Sequence, residues 1–351
     1  MNYKNILIVK LSAIGDIVNA IPVAAALREL YPNARITWIA EKTGGALLKD
    51  NPNLDELIIF EKKKFTSLKG LRENLWSFIK FIRSKKYDLV LDIQGLFKST
   101  VITSLTGAKE RLVFDTAREG SNIFSKRVVG PNATGHVVER YLDVVRHLGG
   151  KIDKPNFSVF LTLEEAKAAK QILKDHDLID KRYVVMALGA GWPNKVWPQE
   201  YFAELSNLIY DMGYIPVAIG GAAEEPLYKK VADANKGVLT VNLVNKTPLK
   251  QLAYIIKNAS AFIGGDTGAT HIAVAVNTPI IALLGPTIFH RNCPYGDNNQ
   301  VIIVDRPCVS CKKRGCPKGL DCLSEISVEQ VLEAFKSIMK KKAEQENNIL
   351  L

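Results

Sequence analysis

A carboxylate, Asp16, follows the first apolar run of the chain and precedes an amphipathic segment. Residues 10–16 (KLSAIGD) stand where a dinucleotide-binding fold would carry G-x-G-x-x-G. This turn has a single glycine, so the nicotinamide or flavin fingerprint is absent. A carboxylate after a strand can act as a general base toward a hydroxyl. The alternative is a helix cap, and a helix N-terminus would also lower its basicity.

A second turn, residues 264–271 (GGDTGATH), also follows an apolar run and opens a helical segment. Its small residues let backbone N–H groups approach an anion, and the helix dipole favours phosphate. Asp266 would repel a phosphate there unless it binds something else, such as a hydroxyl or a backbone amide. His271, about one helical turn further on, is either a site residue or a core histidine.

Two further polar positions follow apolar runs in the second half of the chain. Lys195, in residues 189–198 (GAGWPNKVWP), can neutralise a diphosphate leaving group, unless it is an exposed loop lysine. Glu224 and Glu225 follow Gly220-Gly221, where a carboxylate can bind ribose hydroxyls. Acidic residues in a first helical turn also complement the helix dipole, which is the structural alternative.

Four of the five cysteines form a compact C-x2-C-x4-C-x5-C group at Cys308, Cys311, Cys316 and Cys322. Four thiolates can hold a structural zinc ion, although the spacing differs from that of a standard zinc ribbon. The other interpretation is a set of reduced thiols with a structural role. Both remain open, and no cofactor is otherwise required by the sequence.

Short β-branched runs alternate with helical patterns along the whole chain. The predicted strands are residues 5–9, 35–40, 56–60, 88–93, 111–114, 157–161, 183–188, 216–219, 239–242, 261–263, 280–284 and 301–304. The clearest helices are 17–30, 68–84 and 198–212. This alternation predicts an α/β protein with two parallel sheets, each covered on both faces, in Rossmann-like domains of residues 1–160 and 161–351. Ligands of such sheets bind at the carboxyl ends of strands, so we expect the site in a cleft between the domains.

Length and composition exclude several classes of protein. The 351 residues are 47% apolar and 24% charged, unlike a disordered chain, a fibrous repeat or a disulfide miniprotein. The longest apolar runs are far shorter than the roughly 18 residues of a membrane span. The N-terminal residues do not resemble a signal peptide, so the sequence predicts a cytoplasmic location with reduced thiols.

The positive charge lies mainly in the first half. Residues 1–160 carry 25 Lys and Arg against 16 Asp and Glu, a net +9, whereas residues 161–351 carry 22 against 20, a net +2. This asymmetry favours an anionic partner. We expect Lys62, Lys63 and Lys64 to form an exposed arm for such a partner, which could be a nucleic acid, a phosphorylated substrate or an acidic membrane surface. The helix 68–84 has an apolar stripe, whose simpler explanation is packing on the sheet.

Taken together, these turns resemble glycosyltransferase family 9, the bacterial heptosyltransferases with the two-domain GT-B fold. The resemblance covers roughly residues 4–335. It rests on residues 10–17 (KLSAIGDI), 92–99 (DIQGLFKS), 195–198 (KVWP), 265–271 (GDTGATH) and 285–287 (GPT). Residues 114–119 (FDTARE) are most similar to the heptosyltransferase I branch, whereas the cysteine-rich loop departs from it.

The resemblance implies transfer of L-glycero-D-manno-heptose from its ADP donor to the lipopolysaccharide inner core, Kdo-lipid A or heptosyl-Kdo-lipid A. It implies that Asp16 is the base and that the acceptor contacts Lys98 and Arg118. The implied donor site is Ser12, Lys195, Glu225, Asp266, Thr267, Gly268 and His271. It also implies a cytoplasmic enzyme peripherally attached to the inner membrane.

This assignment predicts a direct displacement with inversion, in which one carboxylate suffices, unlike the pair of a glycosidase. Lys195 and the amides of Thr267 and Gly268 would stabilise the leaving ADP without an obligatory metal. Other hypotheses are a family 9 transferase with another sugar or acceptor, a noncatalytic sugar-nucleotide or lipopolysaccharide-binding protein, and a nucleotide-linked oxidoreductase. A nucleic-acid binder is disfavoured because no recognition module is recognisable.

Overall fold

The computed structural model describes residues 2–235, 240–311, 313–319 and 321–349. The chain divides into two compact units, Met1–Phe160 and Leu161–Leu351. Each unit contains one six-stranded parallel sheet in the part of the chain that is described. The two units are taken in turn below, and strands and helices are numbered along the chain.

The sheet of the first unit has the order β3-β2-β1-β4-β5-β6. Its strands are Asn5–Val9 (β1), Arg35–Ala40 (β2), Glu56–Ile59 (β3), Leu89–Asp92 (β4), Glu110–Phe114 (β5) and Lys126–Val128 (β6). In the central pairs, Val9 is opposite Ile39 on one side and Asp92 on the other. This is the strand order of a dinucleotide-binding fold, whose direction reverses between β1 and β4.

Helices cover both faces of this sheet, as the near-continuous apolar strands require. They are Ile14–Leu30 (α1), Lys42–Gly45 (α2), Leu68–Ser84 (α3), Phe97–Leu105 (α4) and Val137–His147 (α5), with a 3₁₀ turn at Lys62–Phe65. Helix α1 packs on α5, whereas the carboxyl-terminal part of α3 buries Ile82 against the sheet. The two buried layers fix the positions of the loops that follow β1 and β4.

The second unit repeats the same topology, with the order β12-β11-β10-β7-β8-β9. Its strands are Tyr183–Ala187 (β7), Ile215–Ile219 (β8), Val241–Asn242 (β9), Ala261–Gly265 (β10), Ile280–Leu284 (β11) and Asn299–Ile303 (β12). Ala187 of β7 is opposite Gly264 of β10 in the central pair. The direction of strand order therefore reverses between β7 and β10.

The helices of the second unit are Leu163–Asp175 (α6), Gln199–Asp211 (α7), Glu225–Ala234 (α8), Leu249–Lys257 (α9), Gly268–Ala275 (α10), Phe289–Asn292 (α11) and Val328–Ile349 (α12). One cluster of the core joins α7 and α12 to the sheet around Trp197, Phe202 and Phe335. The indole N–H of Trp197 donates to the carbonyl of Ile326 (2.9 Å), which fixes the segment immediately after Lys195.

The predicted α/β fold with two parallel sheets is confirmed. One predicted strand is wrong: residues 157–161 form no strand. The Val159 N–H donates to the Phe157 carbonyl (3.2 Å), and the Ser158 carbonyl accepts a bond from the Asn51 side chain. The edge strand of that sheet is Lys126–Val128, which the sequence analysis missed. It has three residues, two of them exposed, so it shows no apolar pattern. Of the predicted strand 239–242, residue 239 lies outside the described residues.

A search of the described residues for a helix both long and apolar enough to cross a membrane finds none.

Candidate active site

Most of the predicted site residues follow the four strands at which the two sheets reverse their strand order. We call these reversals, between β1 and β4 and between β7 and β10, the switch points. Residues 10–16 follow β1 and residues 93–98 follow β4 in the first unit. Residues 188–195 follow β7 and residues 266–271 follow β10 in the second. Open parallel sheets bind ligands at these points, because the loops on either side diverge and leave a crevice. Each unit therefore presents one candidate site.

Asp16 is the third residue of α1, and the helix cap is Ala13 rather than Asp16. The backbone N–H of Ala13 donates to Asp16 Oδ2 over 3.3 Å, so the carboxylate closes the first turn of the helix. Its side chain nevertheless remains 45% exposed. A capping bond to one oxygen leaves the other free to accept a proton, so the structural and catalytic interpretations are compatible.

A buried lysine, Lys10, lies behind this carboxylate. Its Nζ is 3.9 Å from Asp16 Oδ1, donates to the Tyr141 hydroxyl (2.9 Å), and lies 4.9 Å from the centre of the Tyr141 ring. Burial alone would lower the pKa of Lys10, but Asp16 and Tyr141 outweigh it and the net shift is upward. Lys10 therefore stays charged, and it supplies positive potential behind Asp16.

The loop after β4 holds the loop after β1 in place. Gln94 Oε1 accepts from the backbone N–H groups of Leu11 (3.0 Å) and Ser12 (3.1 Å). Asp92, at the end of β4, accepts from the N–H groups of Gln94 and Gly95 and from the Ser99 hydroxyl. Burial raises the pKa of Asp92 to about 6, although these bonds and Lys10 oppose the shift.

Lys98 points back to the loop that carries Asp16. Its Nζ donates to Ser12 Oγ (3.0 Å) and to Glu41 Oε1 (2.9 Å). The structure thus places Ser12, predicted for the donor site, beside the predicted acceptor residue Lys98. Glu41, which follows β2, was missed, although a carboxylate directly after an apolar strand was a usable signal.

The remaining predicted acceptor residues lie further out on the first unit. Arg118 is exposed after β5, and its backbone N–H donates to the Gly95 carbonyl (2.9 Å). Lys62, Lys63 and Lys64 are all exposed in the 3₁₀ turn before α3, as predicted for an arm. Lys64 pairs with Glu61 at 2.9 Å. These contacts do not bring the three lysines into the cluster around Asp16.

In the second unit, Asp266 gathers the polar residues of the site. Its Oδ2 accepts from Lys195 Nζ (2.5 Å) and from the Thr287 hydroxyl (2.7 Å), and its Oδ1 lies 3.3 Å from His271 Nε2. Burial would raise the pKa of Asp266, but His271 and Lys195 reverse this and hold the pKa well below its usual range. Asp266 is therefore an ionised counterion for the lysine, which removes the objection to its place beside a phosphate.

Lys195 is positioned by its surroundings on two sides. Its Nζ lies 4.5 Å from the centre of the Trp192 ring and also forms the ion pair with Asp266. A side chain at position 265 would meet the Lys195 carbonyl at 2.5 Å, so glycine there permits the close approach of the two loops. Thr287 was missed as a site residue, although it belongs to the GPT motif that contributed to the resemblance.

The first turn of α10 has the geometry predicted for anion binding. Thr267 is the N-cap, and its hydroxyl accepts from the N–H of Thr270 (3.3 Å). The helix begins at Gly268, so its first N–H groups have no partner within the helix. These groups, Lys195 and the helix dipole together provide positive potential for a phosphate.

The two glutamates after β8 differ in orientation. Glu224 folds back so that its Oε2 accepts from the Gly221 N–H (2.7 Å), and its side chain fills the space beside Gly189, at the end of β7. Glu225 instead accepts from the Asn245 side chain over 2.8 Å in an exposed position. Glu224 is thus the carboxylate nearer the strand ends, whereas the sequence analysis favoured Glu225.

The cysteine loop is joined to the same region through its backbone and Ser310. Ser310 Oγ donates to the Thr287 carbonyl (2.8 Å), and the Asn194 side chain donates to the Lys313 carbonyl (2.7 Å). Within the described part of the chain, Cys308, Cys311, Cys316 and Cys322 form no disulfide bonds. Across the described residues, no group of three or more His, Cys, Asp or Glu side chains is arranged to hold a metal ion.

Comparison with known proteins identifies a family. The family model of Glycosyltransferase family 9 (heptosyltransferase) matches residues 75–320. The lipopolysaccharide core heptosyltransferase OpsX of Haemophilus influenzae is 27% identical over 349 residues, covering 95% of this chain and 97% of that protein.

Two solved structures are similar over nearly the whole chain. A family 9 glycosyltransferase from Veillonella parvula has a TM-score of 0.84 and 23% identity, covering 97% of this chain and 98% of its own. The E. coli heptosyltransferase WaaC with ADP-2-deoxy-2-fluoro heptose has a TM-score of 0.73 and 25% identity, with 95% and 99% coverage. The switch-point geometry and these matches agree, and the chain belongs to glycosyltransferase family 9, the heptosyltransferase family of transferase enzymes.

Proposed function

We propose that the protein transfers L-glycero-D-manno-heptose from ADP-heptose to a hydroxyl of the lipopolysaccharide inner core. The single observation that carries this proposal is the complementary chemistry of the two switch points. One holds a half-exposed carboxylate backed by a buried cation, and the other holds Lys195 at a helix N-terminus. The first suits a base for a hydroxyl, and the second suits a diphosphate. The names of the relatives, a core heptosyltransferase and a complex with an ADP-heptose analogue, support the same donor and acceptor class.

The reaction is a direct displacement with inversion. Asp16 takes the proton of the acceptor hydroxyl while its oxygen forms a bond to the anomeric carbon of the heptose. The bond from that carbon to the diphosphate oxygen breaks, and ADP leaves with the electron pair. Because negative charge grows on the diphosphate, Lys195 and the N–H groups of Thr267 and Gly268 stabilise the transition state more than the ground state.

In this proposal, the other site residues bind the two substrates or hold neighbouring side chains in position. Asp266 and His271 hold Lys195 at the donor site, and Glu224 or Glu225 binds the ribose. Lys98 and Arg118 bind the anionic acceptor sugar, and Ser12 orients Lys98 as well as approaching the donor. Lys62, Lys63 and Lys64 attach the enzyme peripherally to the acidic inner membrane surface from the cytoplasmic side. The scheme relies on protein cations in place of a metal ion.

The test is product analysis by mass spectrometry with ADP-heptose and two acceptors, Kdo-lipid A and heptosyl-Kdo-lipid A. The expected result is a mass increase of one heptose on one acceptor. Asp16→Asn keeps the shape but cannot take the proton, so turnover should fall about 100-fold or more with little change in donor affinity. Asp153→Asn, an exposed carboxylate elsewhere in the first unit, is the matched control. Near-normal turnover of Asp16→Asn would remove it as the base.

A further inference from the structure

The outward face of helix α3 carries a tryptophan within a row of cations. Counting from Trp76, Arg72 and Lys80 lie four residues away and Lys69 and Arg83 lie seven away, so all five share one face of the helix. All five side chains are exposed, and Trp76 is 78% exposed. We call this set the basic face of α3. The α3 sequence contains one acid, Glu73, which pairs with Lys69 at 4.0 Å.

The charge of the first unit is concentrated around this helix. Residues 61–86 contain nine Lys and Arg and two Glu, a net +7 out of the +9 carried by residues 1–160. The sequence alone suggested that the helix packs on the sheet, and its carboxyl-terminal half does so through Phe78 and Ile82. The cations face the opposite way, where they create a single-signed surface that attracts an anionic partner.

Apolar side chains are exposed beside this charge. Leu68, at the start of α3, is 89% exposed, and Phe97, at the start of the neighbouring α4, is 65% exposed. Leu71 and Val101 are also partly uncovered, one turn further along their helices. Both helices begin at the carboxyl edge of the sheet, where Asp16 lies. Apolar groups among cations suit a surface with anionic headgroups above hydrocarbon, whereas a nucleic acid would leave these groups in water.

We propose that the basic face of α3 docks the first unit on an anionic lipid bilayer, with the Trp76 ring at headgroup level and Leu68 reaching the acyl boundary. The docking surface rests on the proposed function in one respect: the proposed acceptor is anchored in a lipid bilayer. The lysines of α3 supply long-range attraction to anionic headgroups, and the tryptophan adds short-range interfacial contact. Docking beside the carboxyl edge of the sheet brings Asp16 to the membrane side of the enzyme.

Vesicle binding of the full-length protein tests the inference without reference to catalysis. The probes are vesicles of phosphatidylethanolamine with phosphatidylglycerol, and vesicles of phosphatidylcholine alone as the neutral comparison. We expect binding to the acidic vesicles, weakened by salt, with a blue shift of tryptophan fluorescence that Trp76→Phe abolishes. Trp38 and Trp197 are buried, whereas Trp192 of the second unit is partly exposed, so Trp192→Phe is measured beside Trp76→Phe and should leave the shift in place. Salt-sensitive binding without a Trp76-dependent shift, or equal binding to both vesicle types, would overturn the proposal.

Charge position, as distinct from total charge, is tested by two matched triple variants. The first triple variant, with Ala at positions Lys69, Arg72 and Lys80, should partition to acidic vesicles about 100-fold more weakly than wild type. The same loss of three charges at Lys167, Lys170 and Lys174, exposed on α6, should change it less than about threefold. Trp76→Ala should weaken it about tenfold. Equal effects of the two triple variants would refute a docking role for α3.

Kinetics separate this inference from the proposed function. With a water-soluble acceptor lacking acyl chains, the α3 variants should retain wild-type kcat and KM, whereas with vesicle-embedded acceptor their apparent KM should rise. If the wild-type protein binds acidic vesicles but transfers no heptose to any acceptor, the proposed function fails and the docking surface stands. If it transfers heptose but the α3 variants bind vesicles like wild type, the docking surface fails and the proposed function stands.

Discussion

Lys10 Nζ lies 3.9 Å from Asp16 Oδ1, and the two side chains differ sharply in burial: 2% of Lys10 is exposed, against 45% of Asp16. A buried cation thus faces a carboxylate that solvent and substrate can reach. The pair is not a stabilising surface salt bridge, because its distance is long and Lys10 has other partners in Tyr141 and Asp92. Its consequence is electrostatic: Lys10 holds a fixed positive charge behind the carboxylate that we propose as the general base.

Replacing Lys10 should therefore lower turnover. Lys10→Met keeps the length of the side chain and removes its charge. We expect kcat/KM to fall about tenfold, because the loop that carries Asp16 loses the buried positive charge behind it. Tyr141→Phe is the control, because it removes the 2.9 Å hydrogen bond and leaves the charge in place. An equal fall of kcat/KM in both variants would assign the effect to packing.

Variants of Lys195 and Asp266 should differ in effect, because the first mainly changes donor binding and the second mainly changes stability. Lys195→Ala removes a charged contact to the diphosphate, so ADP affinity measured by calorimetry should fall by about tenfold or more. Asp266→Asn leaves the lysine without its counterion, and we expect a loss of about 3 kcal/mol in the free energy of unfolding. Lys229→Ala, on α8 in the same unit, is the control. Unchanged ADP affinity in Lys195→Ala would exclude it from the donor site.

Variants of the two adjacent glutamates, Glu224 and Glu225, compare the two candidate ligands of the ribose. Glu224 lies against Gly189 at the strand ends, whereas Glu225 turns to Asn245. We therefore expect Glu224→Gln to raise the Kd for ADP about tenfold, the order of a charge-assisted hydrogen bond to a ribose hydroxyl. Glu225→Gln should leave it nearly unchanged. Calorimetry with ADP and with its 2′,3′-dideoxy analogue tests the assignment, because the Glu224 effect should vanish with the analogue. The reverse ranking would restore Glu225 as the ribose ligand.

The alternation of apolar runs and helical patterns predicted most strands of both sheets, because buried parallel strands are apolar throughout. It failed at Lys126–Val128, a short edge strand with polar residues, and at residues 157–161, which form no strand. An edge strand is specified by its neighbour's backbone more than by its own side chains, so its sequence carries little signal.

The sequence predicted those residues of the candidate site that directly follow strands. Asp16, Lys98, Lys195 and Asp266 all do, and the topology brings them to the switch points. The partners were not predictable, because which charges pair depends on side-chain directions: Asp266 with Lys195, and Lys98 with Glu41. The burial of Lys10 was not predictable for another reason. A lysine at the end of a strand is usually a solvated loop residue, whereas Lys10 packs against α5 and donates to Tyr141.

Asp92 predicts a specific pH dependence of stability. Burial raises its pKa to about 6 from 3.8, so between these values the folded state binds more protons than the unfolded state. The free energy of unfolding must then fall as pH rises through this window, by up to about 3 kcal/mol at neutral pH. Asp92→Asn has no charge to bury, and its amide can still accept from Gln94 and Gly95 and donate to Ser99.

The stability of the variant relative to wild type should therefore rise as the pH rises from about 4 to 7, and the difference should level off above about pH 7. Urea unfolding at a series of pH values measures this difference. Asp153→Asn, an exposed carboxylate, should show no such trend. A difference between Asp92→Asn and wild type that stays flat across the window would mean that Asp92 is ionised throughout, with Lys10 and the three hydrogen bonds fully offsetting its burial.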